Sequence, residues 1–84
     1  MKEVQSTEEA IAMAKEDLSK RLNMDPEFIE VIASEACTWG DTSLGFPDPG
    51  ISYAQILVSG YRVVLRAAGG TFEYRFGDSI VKMR

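Results

Sequence analysis

The chain has 84 residues, 45 % of them hydrophobic and 26 % charged, with a net charge of −4, one cysteine and no histidine. Such a length makes one domain, residues 1–84, that buries only about 60 to 65 % of its unfolded surface, and the composition excludes disorder as the general state. The missing histidine removes the commonest general base and metal ligand, and a lone cysteine cannot close an internal disulfide.

Ser6 followed by Glu9 is a capping-box pair, whose hydroxyl and carboxylate satisfy free amides at a helix start. Ile11, Ala14, Leu18 and Leu22 then recur at helical spacing and form one narrow apolar stripe. Asn23 suits a left-handed cap, and Pro26 forbids continuation because it lacks an N–H. Asp25, Pro26 and Glu27 can start one further short turn. From Phe28 to Trp39 the chain reads as a strand, with Ile29, Val31, Ala33, Cys37 and Trp39 on one parity. Glu35 interrupts that parity, which predicts a bulge near Ala33 to Glu35.

After residue 50, the dipeptides Ser59-Gly60, Gly69-Gly70 and Gly77-Asp78 each match a two-residue hairpin signal. Taken literally they pair Val58 with Tyr61, Ala68 with Thr71 and Phe76 with Ser79. One face then gathers Ala54, Ile56, Val58, Tyr61, Val63, Leu65, Ala67, Phe72, Tyr74, Phe76, Val81 and Met83, and the helix stripe covers it. The opposite face carries Tyr53, Leu57, Arg62, Val64, Arg66, Glu73, Arg75 and Lys82, with Arg66 set against Glu73. The predicted fold class is α+β: one N-terminal helix packed on an antiparallel meander of four to five strands.

Between the first strand and the meander lies Thr38–Gly50, TWGDTSLGFPDPG. Pro47 and Pro49 restrict their own torsions and those of Phe46 and Asp48, while Gly40, Gly45 and Gly50 permit left-handed bends, so the segment is stiff between turns. Trp39, Leu44 and Phe46 are either pegs that plug the thin core or anchors offered outward. Asp41, Ser43 and Asp48 could serve a small active site or a hard cation, but their spacing matches no calcium loop, and both aspartates suit bonding to neighbouring turn amides. The glycines precede no lysine and no helix, so no phosphate cradle is predicted. Cys37 reads as a small hydrophobe, since an activated thiol needs a base or cation beside it.

Eleven acids against four bases fall in residues 1–50, and two acids against five bases in residues 51–84. An acidic chain without a basic cluster predicts no nucleic-acid partner. No apolar run of seven or more follows a basic start, which predicts neither a secretory signal nor a membrane partner and makes the cytoplasm the expected address.

Trp39-x-Asp41-x-Ser43-Leu44-Gly45-x-Pro47-x-Pro49-Gly50, then Tyr53-x-Gln55, Gly60, Arg62-Val63-Val64-Leu65 and Glu73-Tyr74, resembles a group of small uncharacterised prokaryotic proteins. That group has a W-x-D-x-S-L-G-C-P-x-P-G core and a later Y-E-Y-H. Phe46 stands where the group has cysteine and Arg75 where it has histidine, so the resemblance implies that this chain lacks any chemistry those two residues carry. The element order also resembles cystatin-like and PepSY-like domains, which bind partners.

The expected function is a non-enzymatic binding or regulatory module, with no cofactor and no metal. It would meet a protein partner, or its own copy in a homodimer, through the 39–50 loop and the Arg/Tyr sheet face. The binding residues expected are Trp39, Asp41, Ser43, Leu44, Phe46, Tyr53, Arg62, Arg66 and Arg75. The alternative is a small enzyme or ligand carrier using Asp41, Ser43 and Asp48. A structural role is a third reading, with an edge strand such as Ile29 to Cys37 pairing across a two-fold axis.

Overall fold

The computed structural model describes residues 4–78 and 80–84. Helix α1 (Thr7–Leu22) starts at Ser6, whose hydroxyl accepts from Glu9 N, and ends at Asn23 in the left-handed region (φ 51). A 3-10 turn, Pro26–Phe28, is capped by Asp25 and leads into β1 (Glu30–Trp39). Strands β2 (Val58–Ala67), β3 (Gly70–Gly77) and β4 (Ile80–Met83) complete a four-stranded antiparallel sheet of order β1-β2-β3-β4.

The helix lies on one face. Ala10, Ala14 and Leu18 pack with Ile29, Val63, Leu65, Ala67, Tyr74 and Phe76, all buried, with Ile11, Leu22, Val31, Phe72 and Met83 around them. The expected stripe therefore covers the expected β2–β3 face. Tyr74 is anchored across the layers by its hydroxyl, which donates to Asp17 Oδ2 of α1 at 2.6 Å. Desolvation of the phenol, and then this carboxylate, push Tyr74 well above the usual tyrosine range.

Three expectations are corrected. Ser59-Gly60 is not a hairpin: β2 runs straight through it, with Gly60 opposite Cys37 of β1 and Gly77 of β3. Glycine is needed there for close approach, because a Cβ at Gly60 would stand 1.7 Å from the Phe76 carbonyl oxygen. With no turn between them, Val58 and Val63 face opposite sides of the sheet, and Ala54 and Ile56 lie in the connection before β2.

The second hairpin turns at Ala68-Gly69 and not at Gly69-Gly70. Ala67 pairs with Gly70, and both central residues have positive φ (52 and 77), as a primed turn requires. The register slides by two, so each side chain keeps its face but changes partner: Glu73 lies opposite Val64, and Arg66 opposite Thr71. The expected Phe76–Ser79 pair falls on a residue outside the described ones; Phe76 pairs with Val81 and Gly77 with Ile80. In β1 the irregularity lies between Val31 and Ala33, slightly before the predicted place, and it moves Ala33, Cys37 and Trp39 to the side away from the helix.

Candidate functional site

The 40–57 connection folds back over the sheet face opposite α1. Gly77 is the pivot, since a Cβ there would touch Val58 Cγ1 at 2.7 Å and Leu44 Cδ2 at 3.0 Å. Leu44 and Val58 are both buried, at 0 % and 2 % exposure, and form a second small core beneath the connection. Leu44 is held at φ 54, a left-handed torsion that costs a leucine about 1 to 2 kcal/mol. Burial of its side chain offsets that strain.

Hydrogen bonds inside the connection set this shape. Ser43 N donates to Asp41 Oδ1 at 2.9 Å, the Ser43 hydroxyl donates to the same oxygen, and Gly45 N donates to Ser43 Oγ. Phe46 N closes the bend on Ser43 O at 2.9 Å. The two legs are clipped together where Thr42 N donates to Ala54 O and Ala54 N to Thr42 Oγ1, both at 3.0 Å.

Three cations, from β3, β4 and the chain end, fasten the connection down. Arg75 Nη1 donates to Leu44 O at 2.8 Å, and its guanidinium stacks 3.9 Å above the Phe46 ring and 5.9 Å from the Trp39 ring. Arg84 covers the Phe46 ring at 4.7 Å and donates to Pro47 O at 3.0 Å. Lys82 Nζ donates to Asp48 Oδ2 at 2.8 Å and to Tyr53 Oη at 3.3 Å, while Asp48 N donates to the same phenol at 2.9 Å. The hydrogen bond from Lys82, and its charge, hold Asp48 below the usual carboxylate range.

Beneath the connection a charge network crosses three strands. Arg62 and Arg75 are direct cross-strand neighbours, a repulsive arrangement. Glu73 bridges them, accepting from Arg62 Nε at 2.8 Å and Arg75 Nε at 2.7 Å, and Glu35 accepts from Arg62 Nη1 at 3.1 Å. Desolvation raises the Glu73 carboxyl, but the hydrogen bonds from both arginines outweigh it and leave it lowered. Cys37 is pushed up by burial and then by the Glu35 charge, which keeps it a thiol at neutral pH.

The sequence-predicted residues thus divide. Trp39, Leu44, Phe46 and Arg75 meet between connection and sheet, Arg62 joins Arg75 through Glu73, and Tyr53 lies apart with Asp48 and Lys82. Phe46 and Arg75 lie against each other. Arg66 is elsewhere, exposed beside Glu30 at 3.6 Å, which corrects the expected Arg66–Glu73 pair. Asp41 turns inward to Ser43 while Asp48 bonds Lys82 and Tyr53, so the two carboxylates engage separate partners. Among the described residues no three Cys, Asp or Glu side chains gather as a metal site would need, and no helix is long and apolar enough to cross a membrane.

Pinning the connection leaves an apolar outer surface that periodicity alone did not single out. Ile51, Ile56 and Leu57 are 57 %, 52 % and 80 % exposed. Read as strand residues, Ile56 and Leu57 belonged to alternating faces; with no hairpin at Ser59-Gly60 they sit on the approach to β2.

The family described as a domain of unknown function (DUF8738) matches residues 11–83, from the helix stripe to the end of β4, and the chain belongs to it. No curated protein and no solved structure matches the chain.

Proposed function

We propose that this chain is a non-enzymatic binding module that meets a protein partner through the outer surface of its 40–57 connection, with Ile51, Ile56 and Leu57 as the apolar contacts. The exposure of these three large side chains on a segment held in place from beneath carries the reading. Apolar groups are ordinarily scattered singly over a surface; three within seven residues are a concentration. Each contributes about 1.5 to 3 kcal/mol when fully buried.

Arg75, Lys82 and Arg84 support the reading from below. By fixing Phe46, Pro47 and Asp48 they preorganise the connection, so little chain entropy is lost when a partner docks. Trp39, Leu44, Phe46, Arg62 and Arg75 act as internal supports in this reading, and Tyr53 lies at the margin. Asp41, Ser43 and Asp48, the residues of the enzyme alternative, are engaged with turn amides, Lys82 and Tyr53, which gives that alternative no added support.

The test compares wild-type protein with Ile56→Ser/Leu57→Ser in quantitative capture from a native lysate, with thermal unfolding alongside. The reading expects a partner enriched by wild type and lost with the double variant, at nearly unchanged melting temperature. Equal enrichment by both proteins overturns it.

A further inference from the structure

We propose that the outer edge of β1 is a self-association surface, on which a second copy of this chain lays its own β1 antiparallel about a two-fold axis at Ala36. The product is one continuous sheet across both copies. It uses a different surface from the connection and stands or falls separately from the partner reading.

Strand β1 is ten residues long and has β2 as its single sheet neighbour among the described residues. Alternate residues of an antiparallel strand direct their N–H and C=O groups away from that neighbour, so β1 offers a ladder ready for another strand. Folded proteins guard such edges with charged side chains, lysine above all, with proline, with bulges or with very short strands. The opposite edge is guarded in this way: β4 has only four residues.

From Ala33 to Trp39, β1 has no lysine and no proline. Its bulge lies before that stretch, between Val31 and Ala33. The one charge within it, Glu35, is already neutralised by Arg62 at 3.1 Å, as Glu30 upstream is neutralised by Arg66 at 3.6 Å. Ser34, Glu35, Ala36 and Thr38 are all exposed. Among the described residues the edge is long and open, and both of its carboxylates already have arginine partners within the sheet.

The side chains favour a second copy over an unrelated peptide. Ser34, Ala36, Cys37 and Thr38 are small and, although Ala36, Cys37 and Thr38 line a hollow with Val4 and Tyr61, they offer no charged or large side chain that would select an unrelated sequence. About Ala36, however, the strand complements itself: Ser34 lies opposite Thr38 of the second copy, two hydroxyls on the helix side, and Glu35 lies opposite Cys37 of the second copy. An axis at Glu35 would set two carboxylates face to face. An axis at Ser34 would press the bulge against the partner strand.

Sedimentation equilibrium on the intact chain is the first test, up to about 1 mM, where even about −4 kcal/mol of association populates a dimer. The expected result is reversible association to twice the 9.3 kDa chain mass. Ala36→Lys places like charges against each other at the axis and should weaken association at least tenfold while the circular dichroism spectrum is preserved.

Register is read by oxidation with copper-phenanthroline. In Ala36→Cys/Cys37→Ser the two thiols face each other across the axis at a Cα separation of about 4.5 to 5.5 Å, within disulfide range, and should crosslink rapidly. Wild-type Cys37 meets its own copy only diagonally, at about 7 to 8 Å, and should crosslink slowly. A monomer at every concentration overturns the proposal. So does a dimer untouched by Ala36→Lys, or wild-type crosslinking as fast as that of the variant.

Discussion

Leu44→Ala removes the largest fully buried side chain on the loop-covered face of the sheet. Leu44 and Val58 close over Gly77, so truncation opens a cavity there. Buried Leu→Ala changes cost about 2 to 5 kcal/mol, and because the connection can settle partly into the space, a loss of about 2 to 3 kcal/mol is expected. For a chain of this length total stability is about 4 to 13 kcal/mol, so the loss is a large fraction of it. At about 4 to 8 °C per kcal/mol it corresponds to about 8 to 24 °C in melting temperature. Leu44→Gly supplies a check of sign. At φ 54 a Cβ is strained, so glycine relieves about 1 kcal/mol that alanine retains. The glycine variant should therefore equal or exceed the alanine variant in stability, the reverse of the order in a helix or strand. Equilibrium urea unfolding of the three proteins, with midpoint and slope fitted, is the assay. Both variants within about 0.5 kcal/mol of wild type, or glycine clearly below alanine, would refute a buried left-handed Leu44.

Arg75→Met keeps the apolar stem but deletes the donors to Leu44 O and Glu73; a loss of about 1.5 to 3 kcal/mol is expected by thermal unfolding, and Arg75→Lys should recover little because it lacks the planar fork. Glu73 is held below its ordinary 4.5, so the stability it contributes is present above that value and is lost as pH falls through its lower folded value. Urea midpoints measured from pH 6 downward should fall steeply in wild type and more gently in Glu73→Gln. Gly60→Ala sets a Cβ 1.7 Å from the Phe76 carbonyl, and β2 and β3 must separate to admit it; a loss above about 3 kcal/mol or failure to fold is expected from expression and circular dichroism.

What the sequence made legible was local. Ser6, Glu9 and Asn23 carry their cap geometry in their side chains, and Val63, Leu65, Phe72, Tyr74 and Phe76 alternate strictly enough to place them under the helix despite a register error of two. The error arose because Gly69-Gly70 is the stronger dipeptide signal, whereas the chain turns one residue earlier and holds Ala68 at φ 52. Ser59-Gly60 misled for a different reason: glycine there answers a close approach of backbones, which leaves the same trace as a turn. That one misreading hid the longer-range organisation, since without a hairpin at residue 60 strand β1 pairs with β2 across an 18-residue connection. No local pattern announces where such a connection lies. Arg75 and Lys82 were visible on the outer face, but that Leu44 O and Phe46 satisfy the first and Asp48 the second is a tertiary fact.

The covering of the sheet face by residues 40–57 is tested most directly by methyl and aromatic NMR on the uniformly labelled chain. Nuclear Overhauser contacts from the Leu44 methyls to Gly77 Hα and the Val58 methyls are expected, together with upfield ring-current shifts of the Arg75 side-chain protons under Phe46. Leu44 methyls at unstructured shifts, with no contact to β2 or β3, would contradict the account.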